Sequence, residues 1–243
     1  MNEMIIYDAL EFVRNTFQDD YSGHDYFHTL RVYKMAMRIA EQENADLLTV
    51  RLAALLHDVD DIKLSPETYE NKDRAVEFLR KHSISEAMIK TICSIIDEVS
   101  FRGTDSITPK TNEGKCVQDA DRLDAMGAIG IARAFTYGGN HNRTIYDPDI
   151  KPTVNMNAEK YQKHISTTIN HFYEKLFLLK DFPVPHTPAE SPQHSTPAQS
   201  TPWKSSDFPR HKSPEAVQHT PLSMHSPSLP AGGARFLSPP PND

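Results

Sequence analysis

The chain has 243 residues and a formal net charge of −7, with 26 Lys and Arg set against 33 Asp and Glu. It has no basic surplus to neutralise a phosphate backbone, which argues against nucleic acid as the main partner, and no apolar run approaches the roughly 20 residues that span a bilayer. Two cysteines, Cys93 and Cys116, without CxxC spacing fit a reducing compartment better than a disulfide framework. The N-terminal MNEMIIYDALEF carries acids where a secretory signal carries bases. The expectation is a cytoplasmic protein away from the membrane.

In chain order, Ile6, Leu10, Val13 and Phe17 recur at helical spacing and predict a first amphipathic helix. Ser22-Gly23 breaks the chain and can cap a second helix beginning near His24. A third is predicted over 46–58, and a fourth over 72–81 after a loop containing Pro66. Ser85-Glu86 opens a fifth, with Met88, Ile92, Ile95 and Val99 on one face, and 103–109 reads as a loop. One long helix is predicted over 111–135, followed by a glycine- and asparagine-containing connection over 137–152. The last helix carries Tyr161, Ile165, Ile169, Phe172, Leu176 and Leu179. No segment alternates with period two over a strand's length, so the predicted class is all-α. Composition changes near Asp181. Fourteen of the 18 prolines lie from Pro183 onward, among Ser, Thr and His, with four basic and four acidic residues that cancel. Two parts follow: a helical domain over 1–181 that carries the whole net charge, and a disordered Pro/Ser/Thr/His-rich tail over 182–243.

Three segments carry chemistry. LAALLHDVDD (52–61) runs apolar residues straight into His57-Asp58, then Asp60 and Asp61. A helix this apolar belongs in the core, and buried imidazole and carboxylate groups then need a partner such as a metal cation; the alternative is an acidic helix end emerging into water. HDYFHTLRV (24–32) sets His24 and His28 four apart, on one face of a helix, without the glutamate of an HExxH metalloprotease. VQDADRLDAMGAIGIARAF (117–135) holds Asp119, Asp121 and Asp124 among apolar and small residues. Asp119 and Asp121 point about 200° apart on a helix and cannot share one site, whereas Asp121 and Asp124 are neighbours. A charged face paired with Arg122 and Lys115 is the alternative, but the segment is too apolar for an exposed helix.

Together these segments resemble the HD-domain metal-dependent phosphohydrolases, and among them the small bacterial members that act on nucleotides. The resemblance rests on His28, the His57-Asp58 dyad and Asp121. It also rests on LAALLHDVDD, IIDEVSF (95–101), DADRLDA (119–125), YGGNHNRTIYD (137–147) and HFYEKLFLLKD (171–181) in that order. It covers 1–181 and stops where Pro183 and Pro185 end the helical period. The resemblance implies His28, His57, Asp58 and Asp121 as metal ligands, with Asp119 left open as an alternative fourth. Two imidazoles and two carboxylates suit Mn²⁺ best, Mg²⁺ more loosely, with Zn²⁺, Co²⁺ and Ni²⁺ also compatible. It further implies Asp61 as the general base that activates water. Cations for phosphate are expected from Lys63, from His141 and Arg143 after the Gly138-Gly139 turn, and from Lys175 on a polar stripe with His164, Thr168 and His171. The expected function is metal-dependent hydrolysis of a phosphoester or phosphoanhydride bond in a nucleotide. The alternative is a catalytically silent HD module that binds a nucleotide for signalling.

Overall fold

Apolar spacing and side-chain caps account for most of the helices. In the computed structural model, which describes residues 2–62 and 64–179, α1 (Asn2–Thr16) buries Ile5, Ile6, Ala9 and Val13 along one stripe. Lys63, Lys180, Asp181 and the expected tail 182–243 lie outside the described residues. Helix α2 (Tyr26–Glu43) begins at Asp25, whose carboxylate accepts the His28 N–H at 2.8 Å, two residues later than Ser22-Gly23 suggests. Asp46 caps α3 (Leu47–Leu56) through the Thr49 N–H in the same way. Helix α3 is buried along almost its whole length, from Val50 to Leu56, which fits a segment with scarcely a polar face. Then come α4 (Asp73–Lys81), α5 (Glu86–Val99), capped by Ser85, and α6 (Asn112–Asp124), capped by Thr111. Among the described residues every regular element is helical, as the absence of period-two alternation predicts.

Helix α2 packs against both α3 and α6, and Val32, Ala36 and Ala40 are fully buried along it. The small side chains let the backbones approach, so residues near the start of α2, the end of α3 and the end of α6 meet in one place. Helix α5 backs α3 and α6 with Ile92, Ile95, Ile96 and Val99.

Three elements differ from the sequence expectation. The predicted helix 111–135 is two: after Asp124 the Ala125 and Met126 N–H groups close the turn on Asp121 O and Leu123 O. Gly127, at φ +77°, then redirects the chain into α7 (Gly127–Asn140). Only glycine enters that left-handed region without strain. Helix α7 also runs four residues into the predicted connection, so Gly138 and Gly139 lie inside a helix and not in an anion-binding turn. The predicted last helix is interrupted. A short α8 (Ala158–Lys163) ends at His164, Ile165 is 86% exposed, and Thr167 caps a new helix, α9 (Thr168–His171). The Thr168 and Ile169 N–H groups donate to Thr144 O and Ile145 O at 2.9 and 3.0 Å, partners that a continuous helix would not use. Helix α9 then passes into a π-helical turn (Phe172–Leu176) and a final turn, Phe177–Leu179.

The returning segment is pinned by one glycine. Gly103, at φ +61° in a 3₁₀ turn (Gly103–Asp105), stands so close to Met156 O that a Cβ there would collide with it, and the Thr104 N–H donates to the same oxygen at 2.8 Å. Gly103→Ala is expected to cost about 2 kcal/mol, from the left-handed backbone and the displaced contact together. A lower urea midpoint with an unchanged slope checks this.

Candidate metal centre

Three helices aim side chains at one point. His57 follows the last residue of α3 and is buried; its Nδ1 lies 2.9 Å from Ala54 O. A carbonyl can only accept, so Nδ1 carries a proton, and in the neutral ring Nε2 holds the lone pair that a metal would take. His28, 1% exposed in the first turn of α2, is held the same way: its Nδ1 donates to Asp124 Oδ2 at 2.7 Å. Both Nε2 atoms stand 3.2 Å from Asp58 Oδ2. Asp121 Oδ1, from α6, is 3.5 Å from His28 Nε2 and 3.9 Å from His57 Nε2. The ligand atoms offered by His28, His57 and Asp58 all lie within 4.8 Å of one another.

The donor set fits a divalent cation on the structure's own terms. His57 Nε2 and Asp58 Oδ2 are buried and have no hydrogen-bond partner among the described residues. Each would be costly unless a positive charge lies between them. Burial alone would lower the His57 pKa, but Asp58 and Asp121 outweigh it and push the imidazole up to about 9. Burial likewise works to raise the Asp58 pKa, and His57 and His28 win, holding it well below the usual carboxylate range. The corner therefore draws positive charge. Two imidazoles with hard carboxylates are a ligand set for a first-row divalent ion, and Asn- or Ser-type neutral donors are absent from it.

The acids near this corner divide their roles. Asp60 is buried and accepts the Arg74 and Ala75 N–H groups at 3.2 and 2.9 Å, capping α4 from outside that helix. Asp61 lines the cavity over the metal corner, beside Asp58 and Asp121. Asp121 faces the imidazoles, whereas Asp119 does not line that cavity. Asp124 has a positioning role that the sequence reading did not assign. Besides His28 it holds Arg31 Nε at 2.6 Å and Arg133 at 2.8 Å, with its side chain 5% exposed. Burial opposes its charge, yet His28, Arg31 and Arg133 hold the carboxyl well below the usual range. A carboxylate behind an imidazole fixes the ring's orientation and tautomer.

Cations stand opposite the acids. The cavity over the corner, about 90 Å³, is also walled by Arg102, Arg133 and Lys175. A second, of about 70 Å³, shares Arg133 and Lys175 and adds Arg143 and His171. Burial pushes the Lys175 pKa down, opposed by Asp121, Asp61 and Asp58. Of the cations named from sequence, Lys175 and Arg143 thus line cavities, and Lys63 lies outside the described residues. His141 is exposed, stacked on the Tyr137 ring at 3.8 Å, and lines neither cavity. The expected polar stripe is cut, because His164 precedes the break before α9 and Thr168 is buried against Gly138. His24 precedes α2 and is not on one helix face with His28; its Nδ1 sits 3.3 Å from Ser22 Oγ and its ring lines both cavities. Arg102 and Arg133 had no sequence signal beyond their charge.

The model of the family described as HD domain matches residues 25–126, a span that contains His28, His57, Asp58, Asp121 and Asp124. The chain is 36% identical over 171 residues to YpgQ of Bacillus subtilis (strain 168), covering 70% of this chain and 76% of that protein. The crystal structure of YpgQ in complex with ADP superposes with a TM-score of 0.57 at 34% identity, over 75% of this chain and 85% of that one. An HD-superfamily hydrolase of Bacillus thuringiensis gives 0.56 at 38% identity, over 76% and 85%. A protein of Lactobacillus plantarum gives 0.68 at 38%, over 75% and 84%.

Asp124 generates a prediction that tests its anchoring role. Asp124→Asn leaves two arginines and an imidazole around a neutral amide, and is expected to cost about 3 kcal/mol, in the range for a broken buried ion pair. Its folded pKa lies below the ordinary value of 3.8, so the charge contributes fully above that pH. As pH falls below 3.8 the unfolded chain takes up the proton first and the contribution drains away. Urea melts across pH should therefore show the gap between wild type and Asp124→Asn constant near neutrality and narrowing below 3.8.

Proposed function

The chain belongs to the HD superfamily of hydrolases, and on that premise we propose that residues 1–181 form a metal-dependent phosphohydrolase that cleaves a phosphoester or phosphoanhydride bond of a nucleotide. The observation that carries this reading is the pair of buried atoms His57 Nε2 and Asp58 Oδ2, in contact with each other but without a hydrogen-bond partner among the described residues, close to His28 and Asp121 in a cavity also lined by Arg133 and Lys175. His28, His57, Asp58 and Asp121 would hold the cation, Mn²⁺ by preference, with Mg²⁺, Co²⁺, Ni²⁺ or Zn²⁺ as substitutes. Bound there, the ion would polarise a phosphoryl oxygen and acidify a water.

The chain's own groups do the rest. Asp61 takes the proton of the attacking water. Lys175 and Arg133 neutralise the phosphoryl oxygens, and Arg143 extends that wall to the next phosphate. Asp124 keeps His28 turned inward throughout. ADP bound to the B. subtilis relative supports a nucleotide as the substrate. A small-molecule substrate also fits the acidic balance of the chain, and a cytoplasmic location fits Cys93 and Cys116, both free. No helix among the described residues is long and apolar enough to cross a membrane.

Phosphate release from a panel of nucleoside mono-, di- and triphosphates with Mn²⁺ tests the proposal. Asp58→Ala and Asp121→Ala are expected to lose the ion, by elemental analysis, and the activity with it. Asp61→Asn should keep the ion and lower kcat by roughly 10²–10⁴-fold. Release that survives chelation unchanged contradicts the metal's role, and nucleotide binding without any release favours the silent module.

A further inference from the structure

Glu174 and Lys175 are consecutive in the π-helical turn, yet they address different cavities. Lys175 lines the cavity over the metal corner, whereas Glu174 lines an adjoining one of about 200 Å³. A carboxylate with its side chain 3% exposed needs donors. Three reach it: the Thr153 N–H at 3.0 Å, the Ser166 hydroxyl at 2.9 Å and His164 Nε2 at 3.0 Å. All three go to Oε1, and among the described residues no hydrogen bond goes to Oε2. One oxygen of this deeply buried acid is thus held in place by its surroundings, and the other is left to accept from whatever enters the cavity.

The rest of that cavity is walled by Tyr137, Tyr161, Ile62 and Gln162, with Arg143, His164 and His171 completing it. Ile62, Tyr161 and Gln162 also line the cavity over the metal corner, so a ligand extending away from the metal meets this wall next. The Tyr161 ring can stack on any base, while an acceptor-only carboxylate oxygen selects for an N–H donor at the base's edge. π-helical turns of this kind recur at functional sites.

We propose that this cavity holds the base of a nucleotide whose phosphates lie at the metal corner, and that Glu174 Oε2 accepts a hydrogen bond from an exocyclic amine of that base. The inference rests on the nucleotide reading above and adds a preference for amino-bearing bases. Gln162 provides the second polar contact at the base edge, and Tyr161 closes one face.

Calorimetry on the Mn²⁺-loaded full chain tests it with three non-hydrolysable probes: adenosine 5′-(α,β-methylene)diphosphate, its purine riboside counterpart without the 6-amino group, and methylenediphosphonate. In wild type the adenosine compound should bind about tenfold more tightly than the purine riboside compound, the scale of one charge-assisted hydrogen bond. Glu174→Gln puts a donor where Oε2 stands, so that gap should close while methylenediphosphonate binds both proteins alike. Equal binding of the two nucleosides to wild type overturns the proposal without any variant having to fold. So does an equal loss of all three probes in Glu174→Gln, which marks a structural role. If methylenediphosphonate binds and the adenosine compound binds no better, the base cavity fails while the hydrolase reading stands. If none of the three binds, both fall.

Discussion

Two imidazoles and the Asp58 carboxylate are brought out of water at the meeting point of α2, α3 and α6, with Asp121 half-buried beside them, and the surrounding structure answers the cost of putting them there. Burying an ionisable group is unfavourable by several kcal/mol unless its charge or lone pairs are matched. Here the Nδ1 side of each ring is matched within the protein, by Ala54 O for His57 and by Asp124 for His28. The opposite edges are left to face one another across Asp58. The arrangement is therefore unfinished in its hydrogen bonding: the Nδ1 edge of each ring is satisfied within the protein, while His57 Nε2 and Asp58 Oδ2 have no hydrogen-bond partner among the described residues.

The same logic reaches outward from the corner. Asp124 is not merely the partner of His28; Arg31 and Arg133 clamp it from two further directions, so the imidazole is oriented by a carboxylate that cannot itself swing. Arg133 in turn donates to Gly23 O at 2.7 Å, tying α7 to the loop that leads into α2. A cation that lines the cavity over the corner is thus part of the scaffold that holds the His28 ring. Asp60 plays the complementary part on the other side, fixing the start of α4 beside the turn that carries Asp58 and Asp61.

Much of this was legible in the residues. The dense apolar run into His57-Asp58 foretold a buried dyad, and helical phase showed that Asp119 and Asp121 could not serve one site. Phase alone was silent on which of them faces inward, because that depends on the side from which α2 and α3 approach. Asp124 was visible as a neighbour of Asp121, but its anchoring role follows from His28 Nδ1, an atom on a helix 96 residues away. The misplaced boundaries have local causes. Gly127 looked like one small residue among several until its positive φ ended the helix, and Ile165 kept the apolar period while the chain itself broke. Periodicity counts residue types and cannot see that Ser166 and His164 are drawn to Glu174, or that the first N–H groups of α9 are claimed by Thr144 and Ile145.

The π-helical turn is where charge of both signs is sorted. Lys175 sits where desolvation works against its ammonium, and the carboxylates of Asp121, Asp61 and Asp58 only partly offset that. An ammonium in such a place gains most from an anion that arrives with it out of water, because the attraction grows as the local dielectric falls. The acids at the corner would repel the same anion unless a cation covers them first. On the proposed reading metal and phosphate are coupled: an ion at the corner would turn its acidic side from repulsive to attractive, and Lys175 and Arg133 would then have an anion to hold.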